Sequence, residues 1–312
     1  MDKSSNIYVA GHKGLVGSAI VRKLEEQGYY NIITHDRKEY DLRITNHAHK
    51  LFSDHGASID YVFLAAAKVG GIKSNSLYKG DFIYDNLMIQ TNVIHAARCY
   101  RVKKLLFLGS SCIYPKLCEQ PIKEEYFLNG YLESSNDAYA IAKIAGIKMC
   151  QAYNEQHNTN FISVMPTNLY GINDNYHLEN SHVFPGLIRK FHEAKINNIK
   201  DVICWGDGMP KREFLCSDDL ADACVFLMDN YNSSDIINIG FSIDYTIKEL
   251  AEKIRDIVYP EANIIFNGDI NINGTPRKLL DSSKINTLGW YPKVSLEEGI
   301  KLAYNDFLNK SL

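Results

Sequence analysis

Tyr139 and Lys143 stand four residues apart in DAYAIAKIAG, so on a helix they share one face. A lysine beside a tyrosine hydroxyl favours phenolate and lowers the phenol pKa. Such a tyrosine can give its proton to a carbonyl oxygen as hydride arrives at the carbon. Upstream, the apolar run KKLLFLG leads into GSSCIYP and reads as a buried strand ending at Ser110 and Ser111. A hydroxyl there would hold the reacting oxygen by a hydrogen bond. Cys112 is next in line, and it is either a small core residue or a proton carrier.

That chemistry needs a hydride donor, and the first residues of the chain supply a cradle for one. AGHKGLVGSAI places Gly11, Gly14 and Gly17 between the strand-like NIYVAG and the helical GSAIVRKLEEQG. The first glycine permits a tight turn, the middle one lets backbone approach a diphosphate, and the last lets helix pack on strand. The diphosphate then meets the N–H groups at the helix start, beside Leu15 and Val16. A second strand, NIITHD, ends at Asp36, where an acid would bind ribose hydroxyls. Arg37 follows it and Lys13 lies inside the glycine loop. Two cations at that corner suit a 2′-phosphate and point to NADPH, with Asp36 as the opposing sign.

Further strands are expected at 60–67, 103–111 and 160–171, and helices at 80–100 and 137–156. Strands alternating with helices imply right-handed crossovers and an α/β fold with a doubly wound parallel sheet. Ligands bind at the carboxyl ends of such strands. That rule puts Ala67, Ser110 to Cys112 and Thr167 to Asn168 on one rim; Ala65, Pro166 and Leu169 beside them complete the expected cofactor contacts. After Gly171 the rhythm changes. Residues 171–185 read as loop, 186–196 as a basic amphipathic helix, and 201–215 as a hairpin-like pair of strands around GDGMP. A helix with Ser217 as N-cap, a strand at 235–240 and a helix capped by Thr246 follow. The expected division is a nucleotide-binding unit of 1–171 plus about 217–262, and a smaller substrate unit of about 172–216 plus 263–312.

Composition limits the alternatives. The chain has 312 residues, 46% of them apolar, with a net charge of −3, which argues against nucleic-acid binding. Its apolar stretches are far shorter than the roughly 20 residues that span a bilayer, and no leader is apparent after MDKSSN. Seven scattered cysteines, without a CxxC pair or a metal-spaced cluster, suit a reduced cytoplasmic protein with no metal site.

GHKGLVGSAI, LAAAKVGGI, LLFLGSSCIYP, YAIAKIAGIKMC and MPTNLYG together resemble the extended short-chain dehydrogenase/reductase family. NSHVFP, GMPKREFL and NGTPRKLLDSSK carry the likeness along the whole chain, towards its GDP-4-keto-6-deoxy-mannose epimerase/reductases. The resemblance implies catalytic roles for Ser110, Tyr139 and Lys143, with Ser111 as the alternative serine. It implies NADPH as cofactor and a homodimer formed by a four-helix bundle from 80–100 and 137–156. It also implies that Cys112 and His182 epimerise C3 and C5 before C4 is reduced, giving GDP-L-fucose or a close analogue. A C4 ketone acidifies the protons on both neighbouring carbons. A thiol with pKa near ~8.5 and a histidine near ~6.5 are within reach of removing and returning them.

Substrate contacts implied in the same way are Ser111, Cys112 and Asn168, the cations Lys190, Arg212 and Arg277, and Trp205. His182 and Lys143 also count among the cofactor contacts. Lys13 stands where the family often has arginine, and Ile172 where proline is common. Two competing expectations remain. One is an enzyme that only reduces C4 of a related GDP-4-keto sugar such as a heptose; the other is an idle nucleotide-sensing protein, against which the Ser/Tyr/Lys set argues.

Overall fold

The computed structural model describes residues 1–55, 58–177, 180–270 and 273–311. Among these, the strands are β1 (Ile7–Ala10), β2 (Ile32–Ile33), β3 (Tyr61–Leu64), β4 (Lys104–Leu108), β5 (Phe161–Pro166) and β6 (Asn168–Tyr170). They continue as β7 (Asp201–Cys204), β8 (Lys211–Cys216), β9 (Ile237–Ile239), β10 (Asp244–Thr246), β11 (Asn263–Phe266) and β12 (Arg277–Lys278). The helices are α1 (Leu15–Glu26), α2 (Thr45–Asp54), α3 (Ile72–Leu77), α4 (Lys79–Cys99) and α5 (Asp137–His157). After them come α6 (Val183–Ile196), α7 (Ser217–Asn230), α8 (Ile247–Val258), α9 (Ser283–Thr287) and α10 (Leu296–Ser311).

The main sheet runs in the order β2-β1-β3-β4-β5-β9, parallel throughout. The chain steps outward from β1 to β2 and then returns past β1 to β3, and ligands bind at such a reversal. Strands β4 and β5 are buried on both faces, which is why they read as mainly apolar runs, with only Lys104 and Ser163 polar. On one face, Val9, Leu106 and Val164 pack with Leu24 of α1 and Leu220 and Leu227 of α7. On the other, Val62, Leu105 and Phe107 pack with Leu51 of α2, Val93 of α4 and Ile147 of α5. Each such aliphatic side chain contributes about 1.5–3 kcal/mol through its removal from water.

A third core lies apart from this sheet. Phe184, Ile188 and Phe191 of α6 meet Leu250 and Ile254 of α8, Ile300 and Phe307 of α10, and Phe214 of β8. The small sheets around it are β10-β8-β12, with β6 beside β8, and the pair β11-β7. Among the described residues no helix is long and apolar enough to cross a membrane.

Four expectations are corrected. The run 160–171 is not one strand: β5 ends in the main sheet at Pro166, and after Thr167 the chain enters β6 on β8. No hairpin forms around GDGMP, because β7 pairs in parallel with β11 while β8 pairs with β10, β12 and β6. Ser217 is the first residue of α7 and not its cap; the cap position is Cys216, and the Ser217 hydroxyl is buried without a partner. Finally, 217–262 does not pack as one unit: α7 and β9 join the main sheet, whereas α8 joins the third core. The expected loop 171–185 includes 178 and 179, outside the described residues. Thr246 does cap α8, through a reciprocal capping box with Glu249.

Candidate active site

The turn between β1 and α1 fits a dinucleotide diphosphate. Gly11 has φ +84°, and a Cβ there would lie 2.8 Å from Ala66 Cα, so only glycine serves. A Cβ on Gly17 would lie 2.1 Å from the Gly11 carbonyl oxygen, the close helix–strand approach expected of the last glycine. A Cβ on Gly14 would meet only that same oxygen, at 3.5 Å, so its outer side is open. Gly14 caps α1 without a side chain, leaving the N–H groups around Leu15, Val16 and Gly17 to a ligand. Gly17→Ala is expected to destabilise the fold by about 1–3 kcal/mol through overpacking and to weaken cofactor binding. Thermal unfolding and a fluorescence titration with NADPH check both effects.

At the adenosine corner, Lys13 and Asp36 form an exposed ion pair that holds the Asp36 carboxyl below its usual range. Arg37 is exposed and reaches Asp41 only at 3.5 Å, leaving its charge open to a phosphate. Ala65 continues β3 by donating its N–H to the Ala10 carbonyl, and Ala67 lies just beyond. Pro166, Asn168 and Leu169 sit where β5 gives way to β6, with the Asn168 amide donating to the Glu213 carbonyl at 2.8 Å.

Ser110, Cys112, Tyr139 and Lys143 gather at the end of β4. Ser110 is the cap of a short 3-10 turn over Ser111–Ile113 and accepts the Cys112 N–H at 3.2 Å. Its hydroxyl acts on the Tyr139 phenol in favour of phenolate, whereas Ser111 is buried. Lys143 is 3% exposed and donates to the Leu108 carbonyl at 2.6 Å. Its ammonium lies 5.7 Å from the centre of the Tyr139 ring. The expected lowering of the Tyr139 pKa is reversed in this arrangement. Burial, followed by the nearby Cys112, pushes the phenol up and outweighs Ser110, while burial pushes Lys143 down to about 7. Burial therefore favours the protonated phenol at Tyr139.

Cys112 stands in a different electrostatic setting from the other buried thiols. Its sulfur accepts from Asn136 Nδ2 at 3.2 Å and from Lys278 Nζ at 3.5 Å. Burial works against the thiolate here, but the Lys278 charge and the hydrogen bonds outweigh it, and the pKa falls. His182 caps α6 and opens onto solvent, yet protein surrounds it on its other sides. That surrounding, and then the charge of Lys278, pushes its pKa down.

Lys190 donates to the Ile203 carbonyl and lies 4.5 Å from the centre of the exposed Trp205 ring. Arg212 donates to the carbonyls of Lys211 and Asn273 and has no carboxylate partner among the described residues. Burial pushes its pKa down to about 10. Arg277 is occupied: it pairs with Asp244 at 2.5 Å on the exposed side of β12.

These elements match a model of the NAD dependent epimerase/dehydratase family over residues 7–240. The chain belongs to that family. A protein of Arabidopsis thaliana named putative GDP-L-fucose synthase 2 is 56% identical, covering 99% of this chain and 93% of its own. GDP-L-fucose synthase of Escherichia coli K12 is 49% identical, covering 97% and 96%. The solved structure of MlghC, a GDP-mannoheptose C4 reductase from Campylobacter jejuni with NADP bound, has a TM-score of 0.90. Its identity is 41%, and 99% of each chain is covered.

Within this member of the epimerase/dehydratase family, two site residues escaped the sequence reading. Asn136 precedes Tyr139 by three, hence lies on the Tyr139 face at the start of α5. Lys278 follows Arg277, and successive strand residues point to opposite faces. That alternation was the available signal that only one of the two cations could face Cys112.

Proposed function

We propose that this chain is an NADPH-dependent epimerase/reductase of a GDP-4-keto-6-deoxy-mannose-type sugar. It inverts C3 and C5 and then reduces C4, giving GDP-L-fucose or a close analogue. The observation that carries this reading is a polarised thiol, Cys112, held between Asn136 and Lys278 on the strand end that also carries Ser110.

Ser110 orients the C4 oxygen and Tyr139 Oη delivers a proton to it. Lys143 holds ribose hydroxyls, and the glycine turn holds the diphosphate. NADPH, when bound there, supplies the hydride. Cys112 Sγ and the His182 ring move protons at the carbons flanking the ketone. Arg212 and Lys190 supply charge for the GDP diphosphate, with Trp205 beside Lys190 and Asn168 at the strand end. Ser111, buried behind Ser110, shapes the floor. Arg212→Met is expected to raise KM for the GDP-sugar by roughly 10- to 100-fold, the worth of a charge-assisted hydrogen bond, with a smaller change in kcat. Steady-state kinetics check this.

The deciding experiment is incubation with GDP-4-keto-6-deoxy-mannose and NADPH in deuterated water. Deuterium at both C3 and C5 of GDP-L-fucose supports the proposal. Cofactor oxidation with neither carbon labelled sinks the epimerase half. A second reading, reduction at C4 alone on a related sugar, is favoured by the likeness to a GDP-mannoheptose C4 reductase. It predicts that unlabelled outcome, together with turnover of a GDP-4-keto-heptose.

The proposal includes two lobes, the parallel sheet with its helices and the third core. It also includes a homodimer in which α4 and α5 of each copy form a four-helix bundle. These two helices pack side by side and leave Tyr84 and Ile141 exposed. Seven cysteines without a disulfide suit a reducing, cytoplasmic setting.

A further inference from the structure

We infer that Lys278 is the positioning residue that keeps Cys112 as a thiolate, so that the sulfur meets the sugar as a base. The inference rests on the epimerase half of the proposed function. Its basis is the geometry around the sulfur. Lys278 Nζ lies 3.5 Å from Cys112 Sγ and pairs with no carboxylate among the described residues. Asn136 donates to the same sulfur at 3.2 Å. Ser110 accepts the Cys112 N–H, which fixes the backbone that carries the thiol.

The lysine is held in place by the sheet. Strand β12 pairs in parallel with β8, with Lys278 opposite Arg212. The next rungs are tied to the fully buried Glu213, whose carboxylate accepts the Leu280 N–H at 3.1 Å. Arg277 points the other way, to Asp244. An ammonium on a long flexible stem would otherwise extend into water.

Two buried cysteines, Cys150 and Cys216, show the setting without a cation. Burial pushes the Cys150 thiol up to about 12 and the Cys216 thiol up to about 11, and they have no cation against sulfur. Cys112 moves the opposite way. The same positive charge disfavours imidazolium at His182. Lys278 thus favours the charged form of the thiol and the neutral form of the histidine, and Arg212 is the second positive charge that acts on Cys112. In the step itself, the proton on the carbon beside the ketone passes to Sγ and an S–H bond forms. The C–H electron pair becomes the enolate, shared with the C4 oxygen.

The test is the pH profile of Cys112 alkylation by iodoacetamide in the full chain, read by mass spectrometry of the Cys112 peptide. In Lys278→Met the midpoint should rise by about one pH unit or more, equivalent to a tenfold loss of thiolate at a fixed pH below it. Lys278→Arg should restore most of the shift, which a packing role alone would not require. Exchange at C3 and C5 should fall by about tenfold or more at neutral pH, while C4 reduction of a pre-epimerised ketone stays within about threefold. Rapid alkylation of buried Cys150 would reveal misfolding of the methionine variant. Lys278→Gln, which removes the charge and keeps a donor, then answers the same question. An unchanged Cys112 midpoint in a folded charge-removal variant overturns the inference, as does failure of arginine to restore it. A shifted midpoint in an enzyme whose wild type shows no exchange upholds the role of Lys278 and sinks the epimerase reading instead.

Discussion

Cys112→Ser is expected to lose deuterium incorporation at C3 and C5 by about 10²–10⁴-fold, the range for removing a positioned proton carrier. Reduction at C4 of a ketone already in the epimerised configuration should continue within a few-fold of wild type. The reason is chemical more than steric. A serine oxygen can still accept from Asn136 and Lys278, but a hydroxyl is far too weak an acid to be ionised by one ammonium. The groups proposed for reduction are left in place: Ser110 and Tyr139 are untouched, and Lys143 keeps the Leu108 carbonyl. Product analysis by mass spectrometry and NMR in deuterated water separates the two steps. Loss of both would show that Cys112 is needed for binding or folding and has been assigned the wrong task.

Tyr139→Phe should produce the opposite pattern. Hydride transfer to C4 is expected to fall by about 10²–10⁴-fold while exchange at C3 and C5 persists. The substitution keeps the ring packed edge-on against Phe82 and removes only the hydroxyl. With burial holding the phenol protonated, the native residue begins the cycle with the proton that C4 oxygen needs. NADPH absorbance follows reduction and label uptake follows exchange. If both activities vanish together, the two half-reactions share Tyr139 and the separation of roles proposed here is wrong. If reduction is undiminished, the donor lies elsewhere on the rim.

Both predictions depend on residues that were readable from the chain alone, because they come in short local patterns. Gly11, Gly14 and Gly17 announce their turn by spacing, and Tyr139 and Lys143 announce a shared face by being four apart. Strands β3, β4 and β5 were legible as apolar runs within 60–67, 103–111 and 160–171, although each ends earlier than expected, at Leu64, Leu108 and Pro166. The active-site rim follows from the rule for parallel sheets. Even the Thr246 cap was legible, since a capping box is complete within four residues.

What failed was pairing between distant segments. DVICWGDGMPKREFL looks like a hairpin because its halves are adjacent in sequence. The partners actually chosen, β11 and β12, lie far downstream, and β11 lays Ile264 and Phe266 against the third core. The direction of the Tyr139 shift failed for a related reason. Spacing places Lys143 near the ring, but burial depends on everything packed over the strand end, and burial dominates.

The sequence by itself determined the parallel α/β architecture, the glycine turn, the shared face of Tyr139 and Lys143, and the candidacy of Cys112. Each is written in local periodicity, spacing or residue type. Only the tertiary structure decided that Ser111 is buried, that Arg277 is spent on Asp244, and that Lys278 stands against the thiol. A cation acts on a thiolate through distance in space, and β12 comes to Cys112 only because β8 and Glu213 hold it there.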